Sequence, residues 1–279
     1  MNNDPLTIPE ETAPETPAAD PAACTPGTAP ATVPAAPAAD AASAPKKAEG
    51  RIDLIDAARG VAIILMVIHH FLYDLVAFLG MPLWLFTNPV LDVLHYFFAG
   101  LFIFLAGISS DFSRNNWLRG LKTLAAAALV TLVTMLMGMD IWFGILHMMA
   151  VCILFFALTR PFWEWLPRWL MPLLCTAGTV LTAPFVNGVQ TDIPGLFMFG
   201  LITPDFYSSD YFPLLPWIFV FLLGTWAGRY VKEKRLPSAF YETRVPVLAP
   251  IGRRTLLIFL LHQPVLYGIV MIIRWFAER

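Results

Sequence analysis

The chain reads as an all-α, polytopic bundle of about seven transmembrane helices preceded by a disordered tail, and three observations predict it. Hydrophobic residues make up 58% of the sequence and charged residues only 14%, with a mean hydropathy of +0.66, well outside the usual range of soluble domains. From Arg51 onward, apolar runs close to the roughly 20 residues that a helix needs to cross a hydrocarbon core recur with short interruptions. Those runs lack the alternation of barrel strands, and a lipid-exposed open sheet would leave backbone groups unpaired, so helices are the economical solution.

In chain order, residues 1–50 form the first region. Ala, Pro and Thr dominate it, ten prolines interrupt any helix, and few large apolar side chains are available to bury, which predicts a disordered tail. It has neither the basic start nor the continuous apolar core of a secretory signal peptide, so it is expected to stay on the chain and in the cytoplasm. The second region, 51–279, carries predicted spans near 57–79, 90–108, 120–138, 142–159, 168–186, 212–230 and 254–275. Between the fifth and sixth, GLFMFGLI (195–202) is too short to cross and is read as an interfacial or re-entrant segment. Cys24 lies in the tail, while Cys152 and Cys175 fall in apolar runs where a thiol acts as a small hydrophobe.

Lysine and arginine fix the expected orientation. Arg51 and Arg59 open the first span; Arg114, Arg119 and Lys122 sit between the second and third; Arg160 and Arg168 flank the next such loop; Arg229, Lys232, Lys234, Arg235, Arg244, Arg253 and Arg254 fill the last. The alternate loops have none, which puts the N-terminus and basic loops in the cytoplasm and the C-terminus outside, in a multi-pass protein of the cytoplasmic (inner) membrane. The tryptophans fall near both ends of the spans, as interfacial belts do. A net charge of -2, with the basic residues confined to short loops, gives no footprint for nucleic acid.

The first span then poses a question, because MVIHHFLYDL (66–75) sets His69, His70, Tyr73 and Asp74 inside an apolar run. His70 and Asp74 are four apart and share a helix face; His69 and Tyr73 share another, about 100° away. At the same expected depth lie His95, His147 in FGILHMM, and Asp210 with Tyr211 in SSDYFPLLPW. Ionisable side chains in a span cost roughly 2.5 to 3.5 kcal/mol each on insertion scales, and typically line a cavity or pair with one another. They therefore predict an outward-opening polar site, against the plainer reading in which the histidines snorkel or bond a nearby carbonyl. No HxxxH or similar ligand spacing appears, so no metal is predicted.

At the cytoplasmic side, Arg253 and Arg254 stand at the start of the last span, where free N–H groups and the helix dipole suit a phosphate, although positive-inside anchoring explains them equally. His262 and Gln263, in LLIFLLHQPV, sit two turns deeper, beside Pro264, which frees a backbone carbonyl and is expected to kink the helix.

These motifs carry a resemblance. IDLIDAARGVAIILMVIHHFLYDL, LFIFLAGISSDFSR, FGILHMMAV, DYFPLLPWIFVFLLG and GRRTLLIFLLHQPV, in this order, resemble the bacterial membrane proteins grouped with the catalytic domain of heparan-α-glucosaminide N-acetyltransferase, over essentially 51–279. The resemblance implies an acyl-CoA donor from the cytoplasm, most simply acetyl-CoA, an amino or hydroxyl sugar acceptor on the far side, and a histidine base at the outer face. The family carries its reactive histidine in a HAxW-type segment, whereas the equivalent MPLWLFTNP has none, so the base must come from elsewhere. Acyl transfer needs a base for the acceptor and donors for the oxyanion. His70, with Asp74 one turn on, has the composition of an oriented base; His95, His147 or Tyr211 are candidates for the oxyanion or acceptor, Arg253 and Arg254 for the CoA phosphates, and His262 for the binding of the CoA donor. The competing classes are a transporter using the same polar pocket and a non-catalytic membrane component.

Overall fold

The computed structural model describes residues 51–136, 138–186 and 189–279, the side chains of Phe185 and Val186 aside; the tail expected over 1–50, with Cys24, lies outside them. The described residues form nine α-helices: α1 (Asp53–Leu79), α2 (Pro89–Phe112), α3 (Asn116–Leu136), α4 (Ile145–Trp165), α5 (Leu170–Val186), α6 (Trp217–Lys232), α7 (Ser238–Glu242), α8 (Leu248–Arg253) and α9 (Thr255–Ala277). Single 3-10 turns occupy Leu83–Leu85 and Leu196–Phe199, and the latter falls in the segment expected to be interfacial or re-entrant.

Among the described residues five helices, α1 to α4 and α9, are long and apolar enough to cross a membrane. Two stretches counted as spans from the sequence form shorter helices: α5 has 17 residues and α6 has 16, about 26 and 24 Å long, below the ~30 Å of a hydrocarbon core. Helix α6 starts five residues late for an identifiable reason. The Phe212 N–H donates to the Phe143 carbonyl and the Leu214 N–H to the Met198 carbonyl, which ties this stretch to neighbouring loops, while Pro213 and Pro216 have no N–H to give a helix.

Local chemistry sets the ends of the first two helices. Gly80 closes α1 at φ 65°, its N–H returning to the Leu75 carbonyl, a conformation that costs other residues more. Asn88 opens α2 by accepting the Val90 N–H at 2.8 Å, with Pro89 at the first helical position.

Glycines set the closest helix contacts. A Cβ on Gly107 would lie 2.1 Å from the Phe221 carbonyl oxygen, and one on Gly224 2.1 Å from that of Phe104, so α2 and α6 touch backbone to backbone. A Cβ on Gly252 would lie 1.7 Å from the Asp56 carbonyl oxygen, and one on Gly60 2.4 Å from that of Leu248. The short α8 is thereby pressed against the first turns of α1. Between these seams, Ile63, Ile103, Met148, Cys152, Phe156, Phe221 and Leu222 form a buried core, and Cys152 and Cys175 are both buried free thiols.

Candidate functional site

The α1–α8 seam decides where α9 begins. Because α8 lies beside Asp56 and Gly60, α9 starts about two turns along α1 rather than level with its first residue. His262, seven residues into α9, therefore arrives beside His70. The sequence reading had placed these two in different halves of the bundle; they sit at one level, near its middle.

Four of the five histidines form a row across three helices. His95 on α2 and His69 on α1 have ring centroids 4.2 Å apart, His69 and His70 are 6.2 Å apart, and His70 and His262 on α9 are 4.9 Å apart. The last pair is hydrogen-bonded, with His262 Nε2 3.2 Å from His70 Nδ1. The proton positions follow from one further contact. His262 Nδ1 lies 2.6 Å from the Phe259 carbonyl oxygen, which only accepts, so that nitrogen carries the hydrogen. In a neutral ring, Nε2 then offers a lone pair; His70 must donate from Nδ1, and His70 Nε2 is left as an unprotonated acceptor. Helix α9 itself runs unbroken through Pro264.

Asp74 does not orient His70. It is fully buried at 0% exposure, forms no ion pair with any histidine, and its Oδ1 accepts from Gln263 Nε2 at 2.9 Å. The i,i+4 spacing puts the two residues on one face as expected, but the side chain bonded to His70 is His262 and the one bonded to Asp74 is Gln263. Facing α9 rather than its own helix gives each α1 side chain a better-placed partner.

Beside the row lies a cavity of about 80 Å³ lined by His69, His70, His95, Asp210, Met66 and Phe212, with room for two or so waters or a group of that size. Asp210 enters from the loop before α6 and accepts the Ile145 N–H at the start of α4; burial pushes its carboxyl up to about 6 against the opposing pull of that N–H. A wider hollow of about 400 Å³ is walled by Asp140, Trp142, Phe197, Asp205, Phe206 and Tyr207 from the α3–α4 and α5–α6 loops.

The remaining predicted residues stand apart from the row. His147 stacks on Phe143, their centroids 6.3 Å apart. The Tyr211 hydroxyl donates to the Phe197 carbonyl at 2.5 Å, securing the α5–α6 loop, and burial pushes it up to about 12. Arg253 is already engaged, 2.7 Å from Asp53 and 3.1 Å from Asp56, the latter also held by Arg59 at 2.9 Å. It ties α8 to α1 and is not a free anion grip. Arg254 is exposed and forms no ion pair among the described residues. Nor do those residues bring together three or more His, Cys, Asp or Glu in a metal-holding arrangement.

The helices and the partly buried imidazole row define a polytopic α-helical membrane protein with histidines set between its helices. More narrowly, the chain belongs to the family described as heparan-alpha-glucosaminide N-acetyltransferase, catalytic, whose sequence model matches residues 51–264 and so takes in all four imidazoles of the row. No curated protein and no solved structure matches it.

Proposed function

We propose that this protein is an integral-membrane acyltransferase that moves an acetyl group from acetyl-CoA, entering at the basic cytoplasmic end, to an amino or hydroxyl sugar at the opposite face. The observation that carries this reading is the His70–His262 pair, which leaves His70 Nε2 as an unprotonated nitrogen beside a small interior cavity, in a family of acetyltransferases. His70 Nε2 takes the proton from the acceptor as its nitrogen or oxygen bonds to the thioester carbonyl carbon. The carbon–sulfur bond breaks, and the thiolate of CoA leaves and regains a proton. His262 holds the His70 ring and accepts from the imidazolium that forms, the work a carboxylate does in a triad. His95, on the same cavity, donates to the oxyanion, and the Asp210 carboxylate accepts from the hydroxyl or amino group of the acceptor.

The aromatic walls and two carboxylates of the larger hollow suit a hydroxylated or amino-bearing acceptor on its way in. Arg254, unlike Arg253, is available to the CoA phosphates. In this reading α5 and α6 also traverse the bilayer, with their loops completing the span, and the basic loops face the cytoplasm. The test is a density map of the protein with a non-transferable acetyl-CoA analogue. A thioester carbonyl next to His70 is expected, and failure of acetyl-CoA to bind at all would return the site to a transporter.

A further inference from the structure

Two buried polar atoms in the middle of the bundle have no hydrogen-bond partner among the described residues. Asp74 Oδ2 and Gln263 Oε1 each lie buried without such a bond there, although their other ends are joined by Gln263 Nε2 donating to Asp74 Oδ1. Both unpartnered atoms are acceptors while Asp74 is ionised, and two acceptors cannot satisfy each other. One hydrogen on Oδ2 changes that, since a carboxylic acid and a primary carboxamide then close a two-bond ring. No cation offsets a charge here: Asp74 forms no ion pair with any described Lys, Arg or His, and an isolated buried carboxylate is costly enough that such groups neutralise instead.

We propose that Asp74 is a neutral carboxylic acid at physiological pH, its Oδ2 hydrogen donated to Gln263 Oε1, and that this acid–amide ring is the clip fixing α9 against α1. Tyr73 on α1, His262 and Tyr267 on α9 and His70 one turn back are the nearest titratable side chains in sequence on these two helices, and none forms an ion pair with Asp74. Gln263 follows His262 directly, so the ring sets how α9 is rotated and hence where His262 Nε2 meets His70. Asp74 is a positioning residue, acting through His262. The protonation stands independently of any activity; only the consequence for His70 rests on the acyltransferase reading.

The experiment is infrared spectroscopy of the full-length protein in liposomes at neutral pH, with transfer measured on the same variants. The C=O stretch of a protonated carboxylic acid should be present in the wild type, absent in Asp74→Asn, and moved to higher frequency in Gln263→Leu, which removes both hydrogen bonds from the acid. Asp74→Asn restores a two-bond ring as amide to amide, so its transfer rate should stay within about threefold of wild type, while Gln263→Leu should lose about tenfold or more. A wild-type spectrum without that band, or one unchanged by Asp74→Asn, overturns the proposal. If Asp74→Asn fails to accumulate, the band shift in Gln263→Leu decides alone. The expected bands with a dead Asp74→Asn would keep the neutral acid and remove its positioning role, whereas the expected bands with an active His70→Ala would remove the acyltransferase base and leave the ring standing.

Discussion

At the basic end of the bundle, Arg253 reaches Asp53 and Asp56, Arg59 reaches Asp56, and Arg168 and Arg235 share Glu233, each at 2.6 to 3.1 Å. In the interior no such pair occurs among the described residues: imidazole meets imidazole, and Asp74 meets an amide. The difference follows the dielectric. Near water an ion pair loses little solvation and gains little, so the pairs between α8 and α1 and between the ends of α5 and α6 form there at small net energy. In hydrocarbon, separated charges cost several kcal/mol each, so a working site there is built from groups that are neutral at rest and charged only in passing. The ion pairs gather at the basic end, and the middle holds side chains without ion-pair partners among the described residues.

The comparison breaks most visibly at the seam joining the two regions. Gly252→Leu puts a side chain where a Cβ would already meet the Asp56 carbonyl at 1.7 Å, so α8 has to leave α1 and carry α9 with it. A destabilisation of about 4 kcal/mol or more is expected, seen as lost monodisperse protein in detergent. Next comes His262→Ala, which removes the group orienting His70 while leaving the basic end intact; transfer should fall by about 10² or more with unchanged acetyl-CoA binding. Weaker binding with normal turnover would instead give His262 the donor-binding role suggested by the sequence.

A smaller effect is expected at Asp210. Its folded value of about 6 lies above that of an unfolded aspartate, so its contribution to stability is fully present below about pH 4 and is lost as pH rises through 6. Asp210→Asn should flatten the change in melting temperature between those pH values, and an unaltered slope would contradict the assignment. Smallest of all is Arg168→Gln. Its partner Glu233, held below the usual carboxylate range by that guanidinium, is solvent-exposed, so the melting temperature should be nearly unchanged and any difference should vanish at high salt.

The sequence was most informative where lipid imposes the constraint. Apolar runs placed the bounds of α1 to α4 and α9 to within about six residues, because a helix in hydrocarbon has no alternative means of pairing its backbone. The α5 and α6 stretches read as full spans because composition does not reveal that Phe212 and Leu214 give their N–H groups to loops. The polar residues of α1 announced a site, and His95 and Asp210 do line its cavity. Their pairing was illegible, since i,i+4 spacing favoured His70 with Asp74 within one helix, whereas the actual partners lie 192 and 189 residues away. The signal that links them is the close contact of Gly60 and Gly252, which shifts α9 along α1; two glycines in helical runs do not declare their contact from sequence. The same contact explains Arg253, whose charge reads as a phosphate grip until Asp53 and Asp56 are found beside it.

The account turns on His70 as the base, and the most direct measurement is incorporation of labelled acetyl groups into envelope sugars by cells carrying His70→Ala, His69→Ala or wild-type protein at matched membrane levels. His70→Ala should lose 10² to 10⁴ in rate, as removal of a general base commonly does, while His69→Ala, on the far side of His70 from His262, should lose less than tenfold. Near-normal incorporation by His70→Ala, with His69→Ala inactive, would contradict the account and move the base to the His69–His95 side of the row.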